Sequence, residues 1–146
     1  MLKESVCDKR KERHAVTQED FTPRKVCKAM FRNAKELFTD FSKTMLDPCC
    51  GIGNLLLYVL EYRLEYCKTS EDIYKAISTL YGTELMEDNV EECKENIVHL
   101  LKSSDIEFDE AKVIDILNYN IVCTDSNMWD YEEWKPKQKQ TTQELY

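Results

Sequence analysis

The chain has 146 residues, of which 42% are hydrophobic and 33% charged, and a net charge of −8, which suits one soluble globular domain with a single core. No apolar run approaches the ~20 residues of a membrane span, and the N-terminus MLKESVCDKRKERH lacks the apolar stretch of a secretory signal. The seven cysteines are odd in number and irregularly spaced apart from Cys49-Cys50, no CxxC occurs, and the histidines are His14 and His99; this argues for reduced thiols in a cytoplasmic protein, against a disulfide scaffold and against a zinc site.

Residues 1 to 28 carry eight Lys/Arg against five Asp/Glu, a local balance of +3 in an otherwise acidic chain. DKRKER in this stretch reads as a solvated arm over 1–20, with a phosphate-contacting arm as the sharper alternative. A helix is predicted over about Arg24 to Phe38, burying Val26, Met30, Ala34 and Leu37. KTMLDPCC (43–50) is the first strand candidate, and Leu55 to Tyr66 then reads as a mostly buried helix. SEDIYKAIS, with Ser70 as N-cap and acidic residues in its first turn, predicts a short extra helix. STLYGTEL (78–85) is the second strand. Met86 to Lys102 follows as an amphipathic helix with Met86, Val90, Cys93, Ile97 and Leu100 or Leu101 on one face. NIVCTD (120–125) is the third strand, followed by NMWDYEEW and a polar tail over 135–146. Strands separated by helices predict βαβ units and a parallel sheet.

In such a sheet, ligands bind beyond the carboxyl ends of the strands. The chain has three glycines. Gly51 and Gly53 fall at the turn after the first strand, and Gly82 precedes Thr83-Glu84 near the end of the second. All three are expected to face a ligand, where the absence of a Cβ permits close approach. Neither a P-loop nor a full GxGxxG is present, because GIGNLL ends in Leu56. What remains is Asp47, Glu84 and Asp125, one carboxylate per strand end. Three carboxylates suit a ligand with hydroxyls, amino groups and a positive charge better than a pyrophosphate, and S-adenosylmethionine fits that description. Each acidic residue also has a plain structural alternative, as a helix N-cap or strand-end turn.

FTP (21–23), DPCCGIGNLL (47–56), GTELMEDNVEECKENI (82–97) and IVCTDS (121–126) together resemble successive motifs of the S-adenosylmethionine-dependent amino-group DNA methyltransferases, in the gamma order, over roughly residues 9 to 130. The resemblance implies a three-layer, Rossmann-like class I α/β fold over 21–134 and adenine-N6 methylation, as in restriction-modification or phage-type enzymes. It implies that Phe21, Thr22 and Pro23 cover the methionine end of the cofactor, while Asp47 and the Gly51-Gly53 backbone hold its amino-acid portion. Cys49 and Asn54 of the same loop are counted with the site. Glu84 would accept the ribose hydroxyls, Leu85 or Met86 would pack on the adenine, and Asp125 with Ser126 would take its exocyclic amino group.

One departure carries equal weight. Family members place [DNS]-P-P-[FYW] at the end of a fourth strand, where it binds the target amino group and stacks on the flipped base. The three prolines here are Pro23, Pro48 and Pro136, so no Pro-Pro exists. The sequence therefore predicts a truncated sheet that keeps the cofactor half, with catalytic residues unassigned and the first strand an open edge. Such an edge calls for a homo-oligomer or a hetero-complex, with DNA reached through that partner, or for a covering tail; Trp129, Tyr131 and Trp134 are expected to cover exposed core. A non-catalytic S-adenosylmethionine-binding regulator or anti-restriction protein is the alternative function.

Overall fold

The computed structural model describes residues 23–138. The basic arm, Phe21, Thr22 and the last eight residues lie outside the described residues. Three strands, β1 (Met45–Asp47), β2 (Leu80–Glu84) and β3 (Ile121–Cys123), form a parallel sheet in the order β1-β2-β3. Met45 pairs with Leu80 and Asp47 with Gly82, while Glu84 pairs with Cys123, so β2 is central and the three carboxyl ends lie side by side.

Helices make both crossovers. Between β1 and β2 lie α3 (Asn54–Leu64) and α4 (Ser70–Ser78); between β2 and β3 lie α5 (Glu87–Lys102) and α6 (Glu110–Asn120). Alternate residues of a strand face opposite sides of the sheet. On one side Met45, Leu80 and Ile121 are buried together with Leu56, Val59 and Leu60 of α3, Ile73 and Ile77 of α4, Val90, Cys93 and Ile97 of α5, and Val113 and Leu117 of α6. On the other side Leu46 remains 39% exposed. That side meets the C-terminal segment: Trp134 packs edge-on against Tyr81 at 4.8 Å, and the Trp134 indole donates to the Tyr119 carbonyl at 2.7 Å. The segment forms a small antiparallel hairpin from β4 (Trp129–Asp130) and β5 (Lys135–Pro136). The aromatic cover predicted for this stretch is therefore present. Among the described residues a hairpin, and not a layer of helices, occupies the face where a three-layer fold has its third layer.

Two elements depart from the predicted pattern. The first helix is split into α1 (Arg24–Met30) and α2 (Glu36–Thr39). Val26 and Met30 are exposed, and Cys27 is the buried residue of α1. The break follows Phe31, whose ring stacks on Tyr58 at 5.7 Å and meets Phe38 edge-on. That aromatic contact, with the weak helix former Asn33 two residues on, outweighs the helical period. Helix α6 has no counterpart in the sequence reading. Asp109 caps it by accepting from the Ala111 amide at 3.0 Å, and Val113 and Leu117 face the core. The cap of α4 is Thr69 and not Ser70: Thr69 and Asp72 exchange side-chain to backbone bonds as a capping box.

Arg63 of α3 is fully buried and ties this end of the fold together. Its guanidinium donates to the carbonyls of Leu37, Lys43 and Ala76 and to the Thr79 hydroxyl, at 2.7–2.8 Å. These partners precede β1 and β2, so Arg63 fixes the amino ends of both strands. Burial pushes its pKa down, an effect the more distant Asp40 carboxylate opposes. No helix among the described residues is long and apolar enough to cross a membrane.

Candidate functional site

At the carboxyl ends of the strands, the chain leaves β1 at Asp47 and turns through Pro48–Gly53 into α3. The turn is held to β2 at two points. The Cys50 amide donates to the Thr83 carbonyl at 3.0 Å, and the Thr83 hydroxyl donates to the Pro48 carbonyl at 2.7 Å. Gly51 (φ 56°) and Gly53 (φ 95°) are both left-handed, a conformation that explains glycine at each. From α5, the Asn96 amide donates to the Ile52 carbonyl at 3.0 Å and fixes the far side of the turn.

Glu84 reaches across from β2. One carboxylate oxygen accepts from the Gly51 amide at 2.8 Å, and the other accepts from the Met86 amide at 3.2 Å. Asp47 accepts from the Cys49 amide at 3.1 Å. Each carboxylate oxygen has two acceptor directions, so both groups keep capacity beyond these bonds. Asp47 and Glu84 are both buried, at 8% exposure each. The pKa of Asp47 is raised, first by burial and then by the Glu84 charge, against the opposing Cys49 amide. The chain thus holds two buried carboxylates within electrostatic reach of each other. Among the described residues, the charge acting on Asp47 is the like charge of Glu84.

The remaining candidates lie at the strand ends and helix starts of the same fold. Leu85 is 63% exposed at the end of β2, and Met86 is the N-cap residue of α5. On β3's side the Thr124 amide donates to the Glu84 carbonyl at 2.9 Å, and Asp125 and Ser126 follow it at the carboxyl end of β3. Asp125 caps the 3-10 turn Ser126–Met128 by accepting from the Asn127 amide at 2.9 Å. Its structural alternative is therefore realised with one oxygen, and the carboxylate is exposed. Asn54 opens α3 and Cys49 is exposed beside Asp47. Pro23 precedes α1 as its N-cap residue.

Two of the glycines also have a packing reason for lacking a side chain. A Cβ on Gly82 would lie 2.8 Å from the Cys50 sulfur and 3.3 Å from Leu56, and one on Gly53 would lie 2.7 Å from the Cys93 sulfur. Gly82 thus lets the turn and α3 pack against β2, and Gly53 lets the turn pack against α5, so packing already excludes a side chain at both. Thr83 and Asn96 went unread in the sequence. Their signal is weak, a polar residue on an inward-facing position of a strand or helix, and only the turn they bind gives it meaning.

A buried pair of like charges that no cation offsets among the described residues penalises the free protein. Asp47→Asn keeps the acceptor for Cys49 and removes the repulsion, so the variant is expected to be more stable than the parent by about 0.5–2 kcal/mol at neutral pH. The raised pKa fixes the sign. The stability that protonated Asp47 confers is present below its ordinary pKa of about 3.9 and is lost as pH rises through the folded value. The advantage of the asparagine should therefore fade as pH falls toward 4 in denaturant melts. A less stable variant at pH 7 would show Asp47 to be a structural cap.

The fold and these residues define a class: a parallel α/β protein with an acidic, glycine-containing cluster at its strand ends. The family follows from the sequence as a whole. Residues 10–131 match the model of the N-6 DNA methylase family, and the chain belongs to that family, whose members are generally S-adenosylmethionine-dependent. No curated protein and no solved structure matches the chain significantly.

Proposed function

We propose that the chain is the S-adenosylmethionine-binding half of a DNA adenine-N6 methyltransferase and acts together with a partner polypeptide. The observation that carries this reading is the Asp47–Glu84 pair, two buried carboxylates that no cation offsets among the described residues. A ligand bearing an α-ammonium, a sulfonium and a ribose diol supplies what such a pair lacks. Asp47 and the turn through Gly51 would hold the amino-acid portion, and Phe21, Thr22 and Pro23 would cover it. The spare acceptor directions of Glu84 would take the ribose hydroxyls, and Leu85 would pack on the adenine. The second oxygen of Asp125, with Ser126 beside it, would take the exocyclic amino group. When bound, the cofactor supplies an electrophilic methyl group.

The order β1-β2-β3 with β1 at an edge supports reading the sheet as half of a Rossmann-like class I methyltransferase sheet. No Pro-Pro occurs in these 146 residues, so on this reading the target-amino-binding tetrapeptide comes from outside them. The same absence favours a second reading, a non-catalytic S-adenosylmethionine-binding regulator or anti-restriction factor.

Methyl transfer separates the two. The purified chain with tritiated S-adenosylmethionine and duplex DNA is expected to transfer no measurable label. Soluble extract of the native host should restore transfer that depends on the chain. Label transferred by the chain alone would place a complete catalytic site within these residues. Silence with extract, while cofactor binds, would leave the regulator.

A further inference from the structure

The sheet face away from the helices carries a cavity of about 360 Å³ with an unusual lining: Leu46, Tyr81, Tyr119, Tyr131 and Trp134, together with the carboxylates of Glu132 and Glu133. Tyr119 is 61% exposed and Tyr131 36%. Trp134 adopts φ 52°, a left-handed conformation uncommon for a bulky residue, and is held there by its bond to the Tyr119 carbonyl and by the Tyr81 ring. Such outliers persist where the surroundings over-determine them, and they cluster at functional positions. Glu133 beside it is paired with Lys135, whereas Glu132 has no ion pair among the described residues. The cavity is thus an aromatic box with one uncompensated carboxylate.

Its position adds a second constraint. β1 pairs with β2 on one side only among the described residues, and the Met45 amide donates to Thr79 in that pairing. In a parallel ladder alternate residues turn their backbone groups to the same neighbour, so the amide and carbonyl of Leu46 point outward from the edge. An extended segment joining this edge would run alongside the box.

We propose that this box takes the guanidinium of an arginine carried on an extended segment of a partner polypeptide that pairs with the open edge of β1. Arginine suits it better than lysine: a planar guanidinium stacks on tyrosine and tryptophan faces while its fork meets a carboxylate. The inference rests on the partner reading above and adds where the partner docks and by what chemistry.

The test uses the full chain and two blocked peptides, acetyl-Thr-Val-Arg-Val-Thr-amide and its norleucine counterpart, followed by amide and indole NMR shifts. The arginine peptide should shift Thr44, Leu46, Tyr81 and the Trp134 indole, and bind about tenfold more tightly than the norleucine peptide. Glu132→Gln and Tyr119→Ala, both at exposed positions, should each remove most of that preference without altering the thermal melt. Equal binding of the two peptides would overturn the proposal in favour of a merely apolar patch. Shifts that appear only after deletion of residues 139–146 would overturn it in favour of the chain's own tail. Neither readout uses cofactor or DNA. If host extract restores methyl transfer equally with the wild type and with Glu132→Gln, the partner reading stands and this docking site falls.

Discussion

Arg63→Met is expected to lower stability by about 3–5 kcal/mol, because buried acceptors that lose a charged donor each cost about 1–3 kcal/mol. The methionine fills comparable volume, so the loss isolates the polar role. Four acceptors, the carbonyls of Leu37, Lys43 and Ala76 and the Thr79 hydroxyl, lose their donor at once. The Thr79 hydroxyl itself donates to the Phe41 carbonyl, so the disturbance reaches the segment that leads into β1. Ala76 lies in the last turn of α4, where the carbonyl end of the helix dipole offsets the buried positive charge. Domains of this size are stable by roughly 5–15 kcal/mol, so the variant should melt roughly 10–20 °C lower or fail to accumulate. Arg63→Lys should recover part of the loss, because an ammonium keeps the charge but lacks the fork that spans these carbonyls. A melt of Arg63→Met that matches the parent would show the carbonyls to be satisfied by water.

The second large effect is expected at Glu84, where the proposed ligand recognition and the observed loop structure meet. Glu84→Ala removes the acceptors of the Gly51 and Met86 amides, so it disturbs the turn as well as the site. Glu84→Gln preserves size and one acceptor, and is the cleaner probe. Charge-assisted bonds from ribose hydroxyls contribute on the order of 1.5–3 kcal/mol. Their loss should weaken S-adenosylmethionine binding about ten- to a hundredfold in Glu84→Gln, and further in Glu84→Ala. Calorimetric titration of both variants, with melts to confirm folding, checks the ranking. Unchanged affinity in Glu84→Gln would mean that the carboxylate serves only to hold the turn.

The strands were legible because each is a short apolar run closed by an acidic residue or a turn, and observed β1, β2 and β3 fall inside the predicted stretches. Helix α5 was legible from its apolar spacing at Val90, Cys93, Ile97 and Leu101. Other features depend on contacts that no period encodes. The break between α1 and α2 is set by Phe31 stacking on a ring of α3, although Val26, Met30, Ala34 and Leu37 fit a helix well. Helix α6 exposes Ile114 and Tyr119, which blurs its amphipathic signal, and its sequence mark is the Asp109 cap ahead of Val113 and Leu117. Arg63 sits in LLLYVLEYRLEYC as an ordinary helical arginine, and only the folded chain surrounds it with carbonyls. The carboxylates at the strand ends were readable as residues. That Asp47 and Glu84 are buried close enough to repel, and that Gly53 and Gly82 serve packing, required the positions of Cys50 and Cys93.

The most direct measurement is a calorimetric titration of the folded wild-type chain with S-adenosylmethionine and, separately, with S-adenosylhomocysteine, which lacks the sulfonium charge. If the Asp47–Glu84 pair awaits a cation, both should bind with heat, the charged ligand the more tightly, and Asp47→Asn should narrow the difference. A folded chain that gives no heat with either ligand would contradict the assignment of this acidic cluster as a cofactor site.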